Sequence, residues 1–169
     1  IGQMLLHKIA LDTGNLTIYI PLIRFLEGKA LYAGDPIQTG LKSFTSYFYY
    51  LVAFLHLSDT MLRPFFAVGY VIFETAIFYV LFLLWEKIGF SKKTSIWAGV
   101  IIAVGYLPSM GASAWWGWFT HQMPAMLLIL IAFNFLLDEK AIISGIFLGI
   151  AFDIHPVSYT HLRAHETSL

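Results

Sequence analysis

The sequence predicts an all-α membrane protein in which several helices cross the bilayer and an N-terminal region of short helices lies outside it. Hydrophobic residues make up 59% of the 169 residues and charged residues only 12%, whereas soluble globular chains carry about 25% charge. The mean hydropathy is +0.75. A chain of this length has too small an interior to hide so much apolar surface from water. Lipid is therefore the expected solvent for most of the chain.

Charge and motif content exclude several classes of function. The net charge of +0 provides no field that would attract nucleic acid. The chain has no cysteine, which excludes disulfides and thiolate metal sites. It also contains no Walker loop, dinucleotide fingerprint, zinc-protease helix or serine-nucleophile elbow. We therefore expect neither a resident metal nor a cofactor.

Residues 12–64 are predicted to form an outward loop domain with two short helices. The segment 44–57 holds 14 residues, a length more typical of interfacial segments than of membrane spans. Its aromatic residues favour the headgroup level. The segment 16–26 is shorter still and contains Pro21 and Arg24. Neither segment is therefore expected to cross the bilayer.

Four transmembrane helices are predicted after residue 64, because about 20 largely apolar residues are needed to cross roughly 30 Å of hydrocarbon as a helix. The first contains Glu74 as its only charge. The other three are somewhat short unless they include apolar residues of the adjoining loops. The predicted spans are 65–85, 95–113, 119–137 and 141–155.

The two ends of the sequence differ from the rest. Residues 1–11 are interpreted as the remnant of a first transmembrane helix, and we expect the chain to be truncated at its front. Residues 157–169 break the apolar pattern abruptly and resemble translated adapter sequence. An ordinary polar tail is the alternative. Neither interpretation gives residues 157–169 a functional role.

Basic residues in the short connectors predict the orientation. Four lysines fall in the two connectors on one face: Lys87, Lys92, Lys93 and Lys140. The connector 111–121 on the other face has no lysine or arginine, so the positive-inside bias makes the lysine-bearing face cytoplasmic. The connector 111–121, His155 and the loop domain would then face outward from a plasma membrane that the chain crosses several times.

Two stretches of the outer regions contain candidate residues. Asp12 precedes the helix expected from residue 16, and its position fits a helix N-cap. The second outer connector has three tryptophans within four residues, including Trp116 and Trp118. They form either an interfacial aromatic belt or a stacking platform for a sugar, in which His121 and Gln122 would supply polar contacts.

Glu74 lies near the middle of the first predicted span. An ionisable group at that depth is costly and is therefore a functional hypothesis. The alternative is a protonated carboxyl group hydrogen-bonded to Tyr70, Thr75 or a neighbouring helix.

The last predicted helix carries two further patterns. Asp153 and His155 close it at the outer face, but residues two apart point to different sides of a helix, which argues against a metal pair. Gly145 and Gly149, four residues apart, predict a seam at which another helix packs closely.

The order of these features resembles the N-terminal module of the GT-C membrane glycosyltransferases. In that module an outward loop with an early acidic residue, short helices and an aromatic stretch precede a span, a basic inner connector, a second span and a second outer loop. The stretches that carry the resemblance are 12–32, 46–50, 89–93, 117–122 and 144–151. The second outer loop departs from the pattern, because His121-Gln122 stands where many members have an acidic pair. This departure favours a metal-independent branch.

The resemblance implies transfer of a sugar, with inversion, from a polyprenyl-phosphate donor to an acceptor at the outer face. It assigns Asp12 as the general base that deprotonates the acceptor hydroxyl. The candidate partners of the departing lipid phosphate are Arg24, His121 and His155. Membrane lipids and the lipid-linked sugar are the expected partners. A non-enzymatic transporter or polymer-export component, in which Glu74 is the working group, is the alternative.

Overall fold

A computed structural model describes residues 15–29, 46–104 and 120–155, and these residues form helices without any strand. This finding confirms the all-α class for the described part of the chain. The helices are α1 (Asn15–Leu26), α2 (Tyr47–Phe54), α3 (Asp59–Lys87), α4 (Lys92–Val104), α5 (Gln122–Leu137) and α6 (Ala141–Ile154).

Helix α3 begins at Asp59, six residues before the predicted start at residue 65. It continues through Pro64, although proline removes one backbone hydrogen bond from a helix interior. Packing offsets this loss, because Leu62 is fully buried in the core and Asp59 is held by Arg24. The 29 residues of α3 extend about 43 Å at the rise of an α-helix.

Among the residues that the structure describes, α3 is the helix that is long and apolar enough to cross a membrane by length and composition. Only 17% of its apolar window is buried inside the protein, whereas a core helix of a soluble protein is mostly buried. Helices α5 and α6 are also apolar but have only 16 and 14 residues. The predicted crossing by several helices therefore stays a prediction.

The helices form a bundle with two chemically different ends. Helices α3 and α5 run parallel. Met61 and Pro124, near their starts, line one cavity, and Nζ of Lys87, the last residue of α3, lies 2.8 Å from Oδ1 of Asp138, which follows α5. We call the second end, which carries the four connector lysines, the lysine end. The opposite end carries His121, before α5, and His155, after α6, and we call it the histidine end.

The short helices α1 and α2 pack against each other at the histidine end. Leu22 and Ile23 of α1 are buried with Phe48 and Val52 of α2 in one hydrophobic core. The Ser46 hydroxyl, just before α2, donates to the carbonyl oxygen of Ile154 at 2.6 Å. The two short helices predicted within residues 12–64 are therefore present, and α2 lies beside the end of α6.

Three of the helices end in the same hydrogen-bonded turn. After α3, the N–H of Phe90 bonds to the carbonyl of Trp85 at 2.9 Å, and Gly89 adopts φ +98°. This is the Schellman arrangement, whose turn residue needs a left-handed backbone that glycine adopts at least cost. Helix α1 ends the same way at Gly28. Helix α5 uses Glu139 at φ 62° instead, a position where a side chain carries some strain.

Gly145 and Gly149 do not form the predicted seam with any described helix. A Cβ atom added at either glycine would meet no described atom within 4 Å. Helix α6 packs on α5 through a different face, on which Ser144 is buried and Phe147 stacks on Phe135 with ring centroids 5.5 Å apart. Gly145 follows Ser144 by one residue, and Gly149 follows Phe147 by two. Both glycines therefore lie on a different side of α6 from this contact.

Cysteine labelling tests whether α3 crosses the membrane. Ser58 and Ser91 flank α3, both are exposed and the chain has no cysteine of its own. On intact cells, we expect a membrane-impermeant maleimide to label Ser58→Cys and not Ser91→Cys, because a span of about 30 Å of hydrocarbon separates them. Detergent permeabilisation should make both react. Equal labelling of both variants on intact cells would contradict a membrane-spanning α3.

Candidate functional site

A buried tyrosine and a buried histidine meet at the histidine end. The Tyr49 hydroxyl lies 3.0 Å from Nδ1 of His121, and the exposed fractions of the two residues are 0% and 6%. They are 72 positions apart in the chain. Helix α2 supplies the tyrosine and the turn before α5 supplies the histidine, so this contact joins the short helices to the bundle.

Tyr19 of α1 completes the packing around this pair. Its ring stacks on that of Tyr49, with centroids 4.7 Å apart and an interplanar angle of 26°. The same ring meets His121 edge-on at 6.0 Å. Stacked and edge-on contacts of this kind add about 0.5–1.5 kcal/mol per pair beyond burial.

His155 lies against His121. The two ring centroids are 4.6 Å apart with an interplanar angle of 77°. Nδ1 of His155 is buried and has no hydrogen-bond partner among the described residues. We refer to Tyr19, Tyr49, His121 and His155 together as the tyrosine–histidine cluster.

Burial keeps the cluster uncharged. Burial, aided by the nearby His155, lowers the pKa of His121 to about 4, and burial lowers the pKa of His155 as well. Burial raises the pKa of both Tyr49 and Tyr19. At neutral pH the cluster therefore offers neutral donors and acceptors. An anion beside it would raise the pKa of either histidine, because a nearby negative charge favours the protonated ring.

An apolar cavity of about 850 Å³ opens beside the cluster. Its walls come from α2, the first half of α3, the start of α5 and the last residue of α6. Phe48 and Ile154 line the cavity, and each is next in sequence to a cluster residue, Tyr49 and His155 respectively. The apolar cavity and the polar cluster are therefore neighbours at the histidine end.

Arg24 belongs to a separate ionic cluster. Its Nε donates to Asp59 Oδ1 at 2.9 Å, and its Nη1 donates to both oxygens of Glu27 at 2.9 and 2.7 Å. Burial opposes its charge, but the bonds to Glu27 and Asp59 outweigh this effect and hold the pKa of Arg24 above its ordinary value. For Glu27, likewise, the bonds from Arg24 and Lys29 outweigh burial and lower the pKa.

The structure describes four of the predicted site residues and places them in three groups. His121 and His155 are brought together. Arg24 is engaged by two carboxylates, so its contacts fit a role in holding α1 to α3 better than binding a phosphate. Gln122 begins α5, half-buried, and its backbone N–H donates to the Thr120 hydroxyl at 3.3 Å. The remaining candidates lie outside the described residues: Asp12, Trp116 and Trp118.

Sequence reasoning missed Tyr19 and did not single out Tyr49. Tyr49 stands in an aromatic run, and only Tyr49 and Phe48 of residues 47–50 are buried. The run itself was visible, but nothing in it indicated which ring turns inward. Tyr19 gave no signal, because a lone tyrosine in a short apolar helix fits a lipid interface equally well.

Glu74 faces the protein interior. The Tyr70 hydroxyl, one turn earlier, donates to Glu74 Oε1 at 3.1 Å, as one of the two interpretations predicted. Thr75 instead donates to the carbonyl oxygen of Val71 at 2.7 Å. Ionisable residues of membrane helices usually face the protein interior. The interior position of Glu74 is therefore consistent with a structural role and with a direct functional role of its carboxyl group.

Within residues 15–29, 46–104 and 120–155, no group of three or more histidine, cysteine, aspartate or glutamate side chains could hold a metal ion. His121 and His155 supply two imidazoles, one fewer than the smallest set of protein ligands in catalytic zinc sites. Comparison of the chain with protein-family models, with curated proteins and with solved structures finds no match. The candidate site is therefore defined by its own geometry.

The lowered histidine pKa predicts how stability depends on pH. Between pH 6.5 and about 4, an unfolded imidazole takes up a proton that folded His121 does not. The free energy of unfolding should therefore fall as the pH falls through this window, by up to about 3 kcal/mol for this group. Unfolding of the detergent-solubilised protein at pH 7 and pH 4.5 measures this effect.

His121→Gln should remove most of this pH dependence. His56→Asn is the matched control, because it removes an exposed imidazole without touching the cluster. An unchanged pH dependence in His121→Gln would show that His121 is not the group responsible.

Proposed function

We propose that this chain is an integral membrane protein in which α3, α4, α5 and α6 all cross the bilayer, and that it takes part in transferring a sugar from a polyprenyl-phosphate donor. The transfer inverts the anomeric carbon and occurs at the outer face of the plasma membrane. The observation that carries this proposal is the meeting of an apolar cavity and a polar cluster at one end of the bundle.

The exposed faces of the helices support the membrane part of the proposal. Helix α3 has one buried face and one exposed face. The exposed face also carries large apolar side chains: Met61, Val68, Ile72 and Tyr79. Helices α4 and α6 expose further large apolar side chains, among them Trp97, Ile101, Ile142 and Ile146. Soluble monomers rarely expose contiguous apolar patches of this extent, whereas a lipid-facing surface requires them.

Length and charge agree with a multi-pass arrangement. Helices α5 and α6 would extend about 24 and 21 Å, so crossing requires some of the adjoining residues or local thinning of the bilayer. The four lysines of the connectors share the lysine end, which the positive-inside bias makes cytoplasmic. The tyrosine–histidine cluster would then face outward, on the side where lipid-linked sugars are used in the resembling superfamily.

A polyprenyl-phosphate sugar has an apolar tail attached to a polar phosphate. The site likewise has an apolar cavity next to a polar cluster. The tail fits a cavity lined by residues such as Phe65, Leu127 and Leu128. The phosphate would then lie beside His121 and His155, whose imidazoles can donate hydrogen bonds or accept a proton as negative charge develops. Neither the cavity nor the cluster alone would distinguish this ligand from an ordinary lipid.

The reaction follows from these placements. The acceptor hydroxyl attacks the anomeric carbon while its proton passes to the Asp12 carboxylate. The bond from that carbon to the phosphate oxygen breaks, and the lipid phosphate leaves with the electron pair. His155, half-buried at the edge of the cluster, is the better placed histidine for direct contact with this phosphate. Holding donor and acceptor in line would supply much of the rate.

Asp12→Asn in the full-length protein tests the catalytic part. We expect transfer from a polyprenyl-phosphate sugar to fall at least about 100-fold, because general-base catalysis contributes 10² or more. Expression and membrane insertion should be unchanged. Asp153→Asn is the matched control, since Asp153 is an exposed carboxylate near the same end. Undiminished transfer by Asp12→Asn would refute the proposed role of Asp12.

The second candidate function is a transporter or polymer-export component that works through Glu74. The burial of Glu74 and its bond from Tyr70 favour this candidate, because interior carboxyl groups mark substrate and proton pathways in membrane proteins. Glu74→Gln would then abolish substrate flux while Asp12→Asn has no effect. The opposite pattern supports the glycosyltransferase.

A further inference from the structure

Helices α3 and α4 enclose a second apolar space, near the lysine end, which we call the α3–α4 groove. Its volume is about 290 Å³, near the lower limit of ligand pockets in proteins. The groove would therefore hold one segment of an acyl chain and not a whole lipid. The residues that line it include Phe78, Phe82 and Trp85 of α3 and Ser95, Gly99 and Val100 of α4.

Ser95 brings a hydroxyl group to this otherwise apolar groove. The residue is only 1% exposed, and its hydroxyl has no hydrogen-bond partner within the part of the chain that the structure describes. Buried polar groups normally form hydrogen bonds, and a serine in a helix can bond to the carbonyl one turn earlier. Because Ser95 makes no such bond, its hydroxyl is a group that a ligand of the groove could satisfy.

The first turn of α4 is positively charged. Lys92 and Lys93 begin the helix, and this turn contains no acidic residue. Lysines at a helix N-terminus oppose the macrodipole, which favours an anion there. Both lysines are exposed, whereas Lys87 and Lys140 at the same end lie 2.8 and 4.0 Å from the carboxylate oxygens of Asp138. An anion at the start of α4 would therefore offset charge that the helix itself does not balance.

Three groups follow one another along α4 in the order in which a phospholipid carries its own. Lys92 comes first, Ser95 lies about 4.5 Å further along the helix axis, and Gly99 lies about 6 Å beyond Ser95. Residues three or four apart share one side of a helix, so the three positions form a row. A phospholipid has its phosphate, its ester carbonyls and its acyl chains in the same order.

We propose that the α3–α4 groove binds an anionic phospholipid, with its phosphate at Lys92 and Lys93, an ester carbonyl at the Ser95 hydroxyl and part of one acyl chain in the groove. Because the Ser95 oxygen is buried, the hydroxyl must rotate to another staggered position to donate to the lipid. Trp85 fits this level, since tryptophan is enriched where headgroups meet hydrocarbon. The site goes beyond sugar transfer and does not depend on it.

Native mass spectrometry of the full chain in detergent tests the charge of the lipid. The protein is titrated separately with phosphatidylglycerol and phosphatidylcholine, which share acyl chains and esters but differ in net charge. We expect the first phosphatidylglycerol to bind at least about fivefold more tightly, the usual effect of one lysine near an anionic headgroup. Detergent has no inner and outer side, so an effect of the lysines on membrane orientation cannot imitate this preference.

The double change Lys92→Gln and Lys93→Gln should abolish the preference for phosphatidylglycerol. Lys140→Gln is the matched control, because it removes one lysine of the same end that lies outside the groove, and it should keep the preference. Equal affinities for the two lipids in the parent protein would overturn the proposal, and so would a preference that survives the loss of both lysines.

Ser95→Ala tests the hydroxyl. Both lipids carry ester carbonyls, so the affinity for each should fall about twofold to tenfold, the usual effect of one hydrogen bond. A serine that only lets the helices pack closely would be replaced by alanine without any change in lipid binding, and that result would contradict the proposal. Ser144→Ala, which changes a buried serine of α6, is the control that should leave binding unaltered.

Gly99→Leu tests the apolar part of the site. A Cβ atom at Gly99 would lie 3.7 Å from Cζ3 of Trp85, so a leucine there would fill the groove and should prevent both lipids from binding at this site. Gly145→Leu is the matched control, because a Cβ atom at Gly145 meets no described atom within 4 Å. Unchanged binding in Gly99→Leu would refute the groove as the site. Should Gly99→Leu fail to fold, the lysine and serine variants still decide.

Discussion

The hydrogen bond between Tyr49 and His121 is the contact on which the arrangement of this protein depends. It joins segments 72 residues apart, and it does so with both partners buried. Together with the bond from Ser46 to the end of α6, it seats the short helices on one end of the bundle. The cavity wall formed by α2 follows from that seating.

A contact of this kind is useful in a chain with so much apolar surface. Apolar packing alone discriminates poorly between helix arrangements in lipid, because lipid tails are as apolar as the side chains. Directional bonds then specify which helices meet. The Arg24–Asp59 pair acts similarly between α1 and α3, and the Lys87–Asp138 pair joins the lysine-end connectors. The bundle is therefore held at its ends by polar contacts and along its length by apolar ones.

Part of this structure could be predicted from the sequence. The apolar runs of α5 and α6 stand between polar residues, and their predicted and observed boundaries agree within a few residues. The early start of α3 could not be predicted, because it depends on Leu62 packing in the core and on Arg24, 35 residues away. The same holds for Tyr49, since the rotation of an eight-residue helix is set by its neighbour α1 and not by its own weakly periodic sequence. Connector charges placed His121 and His155 on one face, but their ring contact required the packed structure.

A double-mutant cycle on the unfolding free energy tests the central contact most directly. Tyr49→Phe, His121→Phe and the double variant are unfolded reversibly in detergent beside the parent protein, and both replacements keep an aromatic ring in place. If the two side chains share a buried hydrogen bond, the effects of the single changes should fail to add by about 1 kcal/mol. Additive effects, within about 0.3 kcal/mol, would mean that Tyr49 and His121 do not interact and that the short helices are held at the histidine end by something else.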